Sequence, residues 1–330
     1  MSPPTINGAS ARRVHPFRGY LFIGSATFLW GIAATLGRAV FTGRLLPAAQ
    51  SLHPIDPLIV AQTRTTLSLF VVLPFLLARR GWQRLKLPQA DLLQCLLLGV
   101  FGVAASNYLY YLAIQKTNVA VAIIIQYTAP VWVLLYAVAR GQQKATPQKV
   151  AAVGLALLGI ALVIGLVGGA SGNATLGLNL VGVTAALLAS FSYSFYNVGG
   201  HRILARYDRW QVLAWTLCAA AAFWLLFNPP WKVFAAHYSV AQWLFLFVFS
   251  MISVLAAFSL YFAGLQHLDP TRAVVAACME PVFAVAIAAV VLGEVMRPIQ
   301  AIGIILVLAA IVTVQLPGRG QQPVVVEPIE

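Results

Sequence analysis

Residues 273–316 read AVVAACMEPVFAVAIAAVVLGEVMRPIQAIGIILVLAAIVTVQL, and Glu280, Glu294 and Arg297 are the charged side chains of the whole stretch. A hydrocarbon layer about 30 Å thick is crossed by about 20 apolar residues in a helix. Two runs of that kind, 273–292 and 299–316, flank Pro298 here. In lipid so apolar a chain must satisfy its own backbone, which a helix does. Runs of similar size recur toward the N-terminus, at 20–41, 58–78, 92–113, 119–139 and 150–167, then at 178–198, 210–227 and 240–265. The pattern predicts an all-α polytopic membrane protein of ten transmembrane helices.

Composition agrees with this. Of the 330 residues 61% are apolar and 9% charged, a balance far from that of a water-soluble domain. The connectors carry breakers: Pro47, Pro54 and Pro57, Gly81 and Pro88, Pro147, Gly168 with Gly169, Pro229 with Pro230, and Pro298. None is long enough for a separate soluble domain. The first run is too long for a cleavable signal, and no small-residue cleavage pattern follows it. Cys95, Cys218 and Cys278 all lie inside apolar runs, with no CxxC or Cys/His spacing, so neither a disulfide framework nor a metal site is expected.

The net charge of +13 is spread in short clusters between apolar runs, which argues against nucleic acid and for a membrane surface. One side of the membrane receives Arg12, Arg13 and Arg18; Arg79, Arg80, Arg84 and Lys86; Arg140, Lys144 and Lys149; Arg202, Arg206 and Arg209; then Arg272 and Arg319. The other receives Arg44, Lys116, Lys232 and Arg297. By the positive-inside rule the richer side is cytoplasmic, and both termini belong to it.

Sliding the chain along itself by 151 residues lays Pro130-Val131 on Pro281-Val282, Ala137 on Ala288 and Pro147 on Pro298. Each half then has a proline within its fourth run and another opening its fifth. Five helices per half, an odd number, place the copies upside-down relative to each other, the inverted-repeat plan of alternating access. The expected layout is a tail at 1–19, a first repeat at 20–167, a connector at 168–177, a second repeat at 178–316 and a tail at 317–330, with a central cavity between the repeats.

The segment ACMEPVFAVAIAAVVLGEVMRPIQAIGIILVLAAIV (277–312) resembles the E-P-V-F, L-G-E and following proline-glycine pattern of the drug/metabolite transporter superfamily, in its EamA-type branch. DPLIVAQTRTTLSLF, with Arg64, resembles that family's second helix, and TFLWG, with Trp30, its first. Within the family the chain resembles the bacterial aromatic amino-acid exporters. The resemblance implies ten helices around a cavity and export or exchange of metabolites. The first half departs from the pattern, with Ala129 where the second has Glu280 and Gln143 where it has Glu294, so family roles for those acids carry to one half only.

The residues also read without the family. Glu280 lies near mid-depth of its run, where a charged carboxylate is costly and marks a functional site by default. Two readings stand: it binds a substrate amine or exchanges a proton, or it is a structural acid bonded to a neighbouring helix. Pro130 and Pro281 free the carbonyls of Gln126 and Ala277 and act as hinges or packing kinks, with direct ligation by those carbonyls the alternative. Arg38 is placed to snorkel. Arg64, deeper, snorkels, makes a structural pair such as one with a helix C-terminus, or meets a substrate carboxylate.

Trp30, Gln126, Tyr127, Ser190, Tyr193 and Ser253 are the polar and aromatic side chains nearest the centre of their runs, and with Glu280 they are the candidate substrate-binding residues. Asn107 with Tyr111, and Tyr193 with Asn197, are four apart and share a helix face. Tyr110, Tyr111, Tyr196 and Tyr261, near run ends, read as aromatic belt.

No GxxxxGK[ST], HExxH or GxSxG occurs, and the five histidines are scattered. No catalytic residue, cofactor or metal is expected. The reading is a secondary transporter of the cell inner membrane that exports small amino-acid-like metabolites, aromatic amino acids foremost. Export of drugs, nucleosides or cationic compounds is the alternative, and a lipid-modifying membrane enzyme the competing class. The partners are a small-molecule substrate and the lipid bilayer, with the oligomeric state open and a monomer one option.

Overall fold

A computed structural model of the chain describes residues 15–41, 55, 57–117, 119–163, 179–292 and 297–316. Residues 1–14 and 317–330 of the tails, the connector 168–177, Glu294 and the side chain of Arg38 lie outside the described residues; the rest of the expected N-terminal tail, 15–19, leads into the first helix. Those described form helices, with no strand among them. In chain order these are α1 (Pro16–Phe41), α2 (Pro57–Arg80), α3 (Gln89–Leu97), α4 (Ala105–Lys116), α5 (Val119–Gln126), α6 (Ala129–Ala139), α7 (Pro147–Val163) and α8 (Leu180–Leu204). There follow α9 (Arg209–Phe227), α10 (Pro230–Ala235), α11 (Val240–Ser250), α12 (Ala257–Leu265), α13 (Pro270–Ala277), α14 (Met279–Leu292) and α15 (Pro298–Gln315).

Among the described residues seven helical segments are long and apolar enough to cross a membrane: Pro16–Leu36, Leu58–Arg80, Gln89–Ala113, Leu180–Leu204, Arg209–Phe227, Val240–Leu265 and Pro270–Val291. Ala129–Ala139, Pro147–Val163 and Pro298–Val314 are apolar but shorter. The difference from ten has local causes. The run 119–139 is cut by a turn at Tyr127 and Thr128, and α7 is described only to Val163. Large apolar side chains such as Phe17, Leu226, Val240 and Val290 face outward, as lipid contact demands. The protein is a multi-pass membrane protein.

Helix ends follow cap chemistry, which moves several boundaries outward from the apolar runs. Pro16, Pro57, Pro147, Pro270 and Pro298 are first helical residues, not connector residues, because the first turn needs no N–H from that position. Asp269 caps α13 by accepting from Arg272 N at 3.1 Å, and Asp208 caps α9 by accepting from Trp210 N at 3.0 Å.

Interruptions recur at the 151-residue offset. The turn at Tyr127 between α5 and α6 corresponds to the turn at Cys278 between α13 and α14, each three residues before a proline. At both turns the ladder tightens, with Thr128 N bonded to Ile125 O at 3.1 Å and Cys278 N to Val275 O at 3.1 Å. A π-helical stretch, Leu98–Ala104, joins α3 to α4, and another, Met251–Ala256, joins α11 to α12.

Packing repeats as well. α8 packs on α4, α5 and α6, as α1 packs on α12, α13 and α14. α9 packs on α3 and the first π stretch, as α2 packs on α11 and the second. α7 and α15 lie against each other, and Gly159 and Gly303 permit it: a Cβ on Gly303 would stand 2.7 Å from Gly159 O.

Candidate site at the two helix breaks

Pro130 and Pro281 each remove an N–H and crowd the preceding turn. The chain therefore breaks before each, and the breaks place side chains at helix starts in the interior. Glu280 is the second residue of α14, where unpaired first-turn N–H groups and the helix dipole favour negative charge. Across from it, the Tyr127 hydroxyl donates to Glu280 Oε2 at 2.7 Å, linking the two breaks. Both side chains are half-buried, so neither is sealed in the core. Tyr110, Tyr193 and Arg64 lie close enough to interact electrostatically with the Glu280 carboxylate. The Arg64 guanidinium also stands over the Phe249 ring, 5.7 Å from its centroid.

α8 braces the first break. Thr128 Oγ1 lies 3.0 Å from Ser190 Oγ and accepts from Trp132 Nε1 at 3.2 Å. Ser194 Oγ donates to Ala129 O at 3.3 Å. One turn away the Tyr193 hydroxyl donates to Tyr261 Oη at 3.4 Å, and Tyr261 donates to Asn197 Oδ1. Trp30 packs on Tyr261, ring centroids 5.3 Å apart, and donates its Nε1–H to Ser253 O at 2.9 Å.

Of the residues expected to line a pocket, Tyr127, Tyr193 and Glu280 come together, and Ser190 joins them through Thr128. Trp30 and Ser253 form a separate brace that reaches the others through Tyr261. The Ser253 hydroxyl is bonded within its own helix, to Phe249 O at 2.6 Å. Gln126 is half-buried at the end of α5, beside the break. The belt reading of Tyr196 and Tyr261 is corrected: they are 1% and 0% exposed, on faces that turn inward. Tyr110 is also drawn inward, packed against buried alanines of α4, α5 and α8. Thr128, Asn197 and Tyr261 belong to the polar group although they are not among the candidate substrate-binding residues. The four-residue spacing of Asn197 from Tyr193 was the available signal.

A carboxylate with oxygen acceptors beside it suits an ammonium group, and a guanidinium nearby suits a carboxylate. Among the described residues no three His, Cys, Asp or Glu gather as metal ligands.

The sequence profile of the EamA-like transporter family matches residues 17–165 and 180–316. The chain belongs to the EamA-like transporter family. Similar members include the threonine/homoserine exporter RhtA of Escherichia coli K12, 30% identical over 259 residues, which cover 77% of this chain and 81% of that one. An uncharacterized inner membrane transporter, YicL of Salmonella typhimurium LT2, is 23% identical over 69% of this chain and 75% of its own. An uncharacterized transporter of Archaeoglobus fulgidus is 26% identical over 86% and 95%. A crystal structure of another protein superposes with a TM-score of 0.71 at 21% identity, covering 92% of this chain and 99% of that one, and so shares the fold. In this EamA-like chain the breaks and the tyrosine-carboxylate bond lie within the matched residues.

Proposed function

We propose that the protein is a secondary transporter of the cell inner membrane that exports amino acids by alternating access, with aromatic amino acids as the leading substrates. The observation that carries this is the Tyr127–Glu280 pair at the helix breaks, with Arg64 within electrostatic reach. A zwitterion fits such a site: its ammonium takes the place of the tyrosine hydroxyl at Glu280, and its carboxylate turns toward Arg64. The rings of Tyr127, Tyr193 and Tyr110 supply walls on which a flat side chain stacks. Glu280 alternates between substrate ammonium and a proton, and Pro130 and Pro281 serve as hinges.

The architecture proposed with it is ten membrane-crossing helices in two inverted repeats, 20–167 and 178–316, both termini cytoplasmic. The recurrence of the breaks at the 151-residue offset and the exchange-symmetric packing support it. Inverted halves hold substrate near mid-membrane, where the two breaks meet.

Counterflow in proteoliposomes tests the function. Saturable exchange of labelled phenylalanine, tyrosine or tryptophan is expected, with affinity weakened about tenfold to a hundredfold in Glu280→Gln. Product formation from lipid without counterflow would replace the reading with an enzyme. A second reading, short hydroxylated amino acids, is favoured by the name of the RhtA relatives; threonine and homoserine in the same assay decide between them.

A further inference from the structure

Asn197 and Tyr261 are both 0% exposed and touch the proposed substrate only through Tyr193. Their bonds have one self-consistent direction. Asn197 Nδ2 lies 2.7 Å from Tyr193 O, a carbonyl that can only accept. Turning the amide over would set two oxygens against each other at that distance, so Oδ1 must face Tyr261. An amide oxygen donates nothing, hence Tyr261 spends its hydrogen on Asn197. The Tyr261 oxygen is then left as acceptor, and the Tyr193 hydroxyl spends its own hydrogen there. Each step removes one freedom from the next hydroxyl, and a backbone carbonyl starts the sequence.

We infer that Asn197 and Tyr261 are specificity-positioning residues: they turn the hydrogen of the Tyr193 hydroxyl away from Glu280, so that the site meets its ligand with oxygen lone pairs and selects a donor group, an ammonium, over an acceptor. The inference rests on the amino-acid reading above and adds the element that reads the α-substituent. The Glu280 carboxylate likewise offers the ligand only oxygen acceptors. An α-amino acid supplies N–H donors to these oxygens. Its 2-oxo analogue, of the same skeleton, presents a carbonyl oxygen to them and is repelled. Trp30 packs on the Tyr261 ring, with centroids 5.3 Å apart and planes tilted by 45°, and so holds that phenol in place.

The test is competition in counterflow, with labelled L-phenylalanine against unlabelled phenylpyruvate and labelled L-homoserine against 4-hydroxy-2-oxobutyrate. The wild-type protein should prefer the amino acid. In Tyr261→Phe the Tyr193 hydroxyl loses its acceptor and is free to donate into the site, so the preference over the oxo acid should fall roughly threefold to tenfold, the worth of one neutral hydrogen bond. Asn197→Leu should go further, because Tyr261 is left with Tyr193 as acceptor and drives the Tyr193 hydrogen inward. A merely structural role would lower the maximal rate for every substrate and leave the ratio of affinities unmoved, and that result in either folded variant overturns the inference. Wild-type counterflow with neither amino acid overturns the amino-acid reading and this one with it. Preserved wild-type counterflow with an unchanged ratio in the variants overturns this one alone.

Discussion

The hydroxyl of Tyr127 lies 2.7 Å from Glu280 Oε2, and these residues stand at the two helix breaks that the 151-residue offset lays on each other. A single hydrogen bond thus joins the points where each half of the chain is least regular. A group that competes for this carboxylate changes how the halves are held, as the alternating access proposed above requires of a substrate.

Glu280→Gln keeps the shape and the bond to Tyr127 but removes the charge. A hydrogen bond to a charged group is worth about 1.5–3 kcal/mol, so substrate affinity should fall by about tenfold to a hundredfold. Tyr127→Phe leaves the charge and removes the hydroxyl that the ammonium has to displace, so affinity should hold or rise. Concentration dependence of counterflow in proteoliposomes reads both, and the reverse order of severity would exclude ammonium binding at Glu280.

Gly303 meets Gly159 where α7 crosses α15. A Cβ at Gly303 would stand 2.7 Å from Gly159 O and 2.8 Å from Val163 N, both backbone atoms that cannot swing aside. Gly303→Val should therefore destabilise the detergent-solubilised protein by about 1–3 kcal/mol, the usual cost of overpacking. Gly154 lies on the same α7 with nothing within 4 Å of a Cβ, so Gly154→Val is the control and should melt near the wild type. Equal melting of both variants would mean that the crossing is looser than these distances require.

The apolar runs were legible because lipid allows nothing else at that depth, and the breaks because Pro130 and Pro281 announce them. Glu280 stood out as an acid in an apolar run. What the sequence could not supply was helix face. Position along a run reads Tyr196 and Tyr261 as belt, whereas the direction around the helix decides burial, and for Tyr261 the π-helical stretch Met251–Ala256 shifts that direction partway along the rod. The four-residue pairing of Tyr193 with Asn197 was visible, yet its bond runs from the Asn197 amide to the Tyr193 backbone carbonyl, which spacing cannot distinguish from a contact between side chains. The place of Tyr127 opposite Glu280 depends on how two distant halves meet, and one strand of sequence carries little of that.

Tyr207, between α8 and α9, donates to Asp91 Oδ2 at 2.5 Å, and Arg206 Nη1 lies 2.7 Å from Asp91 Oδ1. The hydrogen bond to Asp91, with burial second, raises the phenol above its ordinary pKa. A folded-state pKa above the unfolded one contributes stability that is complete below about pH 10 and is lost as pH climbs through the folded value, because the unfolded chain gives up its proton first. Melting temperature should decline above about pH 10, and Tyr207→Phe should decline less steeply. Parallel curves for the two proteins would show that the bond to Asp91 contributes nothing in solution.

Gln143, in the linker between α6 and α7, donates from Nε2 to Asp269 Oδ1 at 3.1 Å, and its Oε1 accepts from Lys149 Nζ at 2.7 Å and Thr271 Oγ1 at 3.3 Å. Asp269 and Thr271 belong to the second half, so one amide fastens the halves at this end, and opening this end has to break its bonds. Gln143→Ala should shift the balance toward the opened form. Losing about 1 kcal/mol or more of hydrogen bonding raises the open population about fivefold or more. Cys278, buried just beyond α13, reports the change. With Cys95 and Cys218 replaced by alanine, a water-soluble maleimide should label Cys278 faster in the Gln143→Ala protein, and added substrate should alter that rate. Labelling at the wild-type rate would mean that the halves part elsewhere and that Gln143 only tethers a loop.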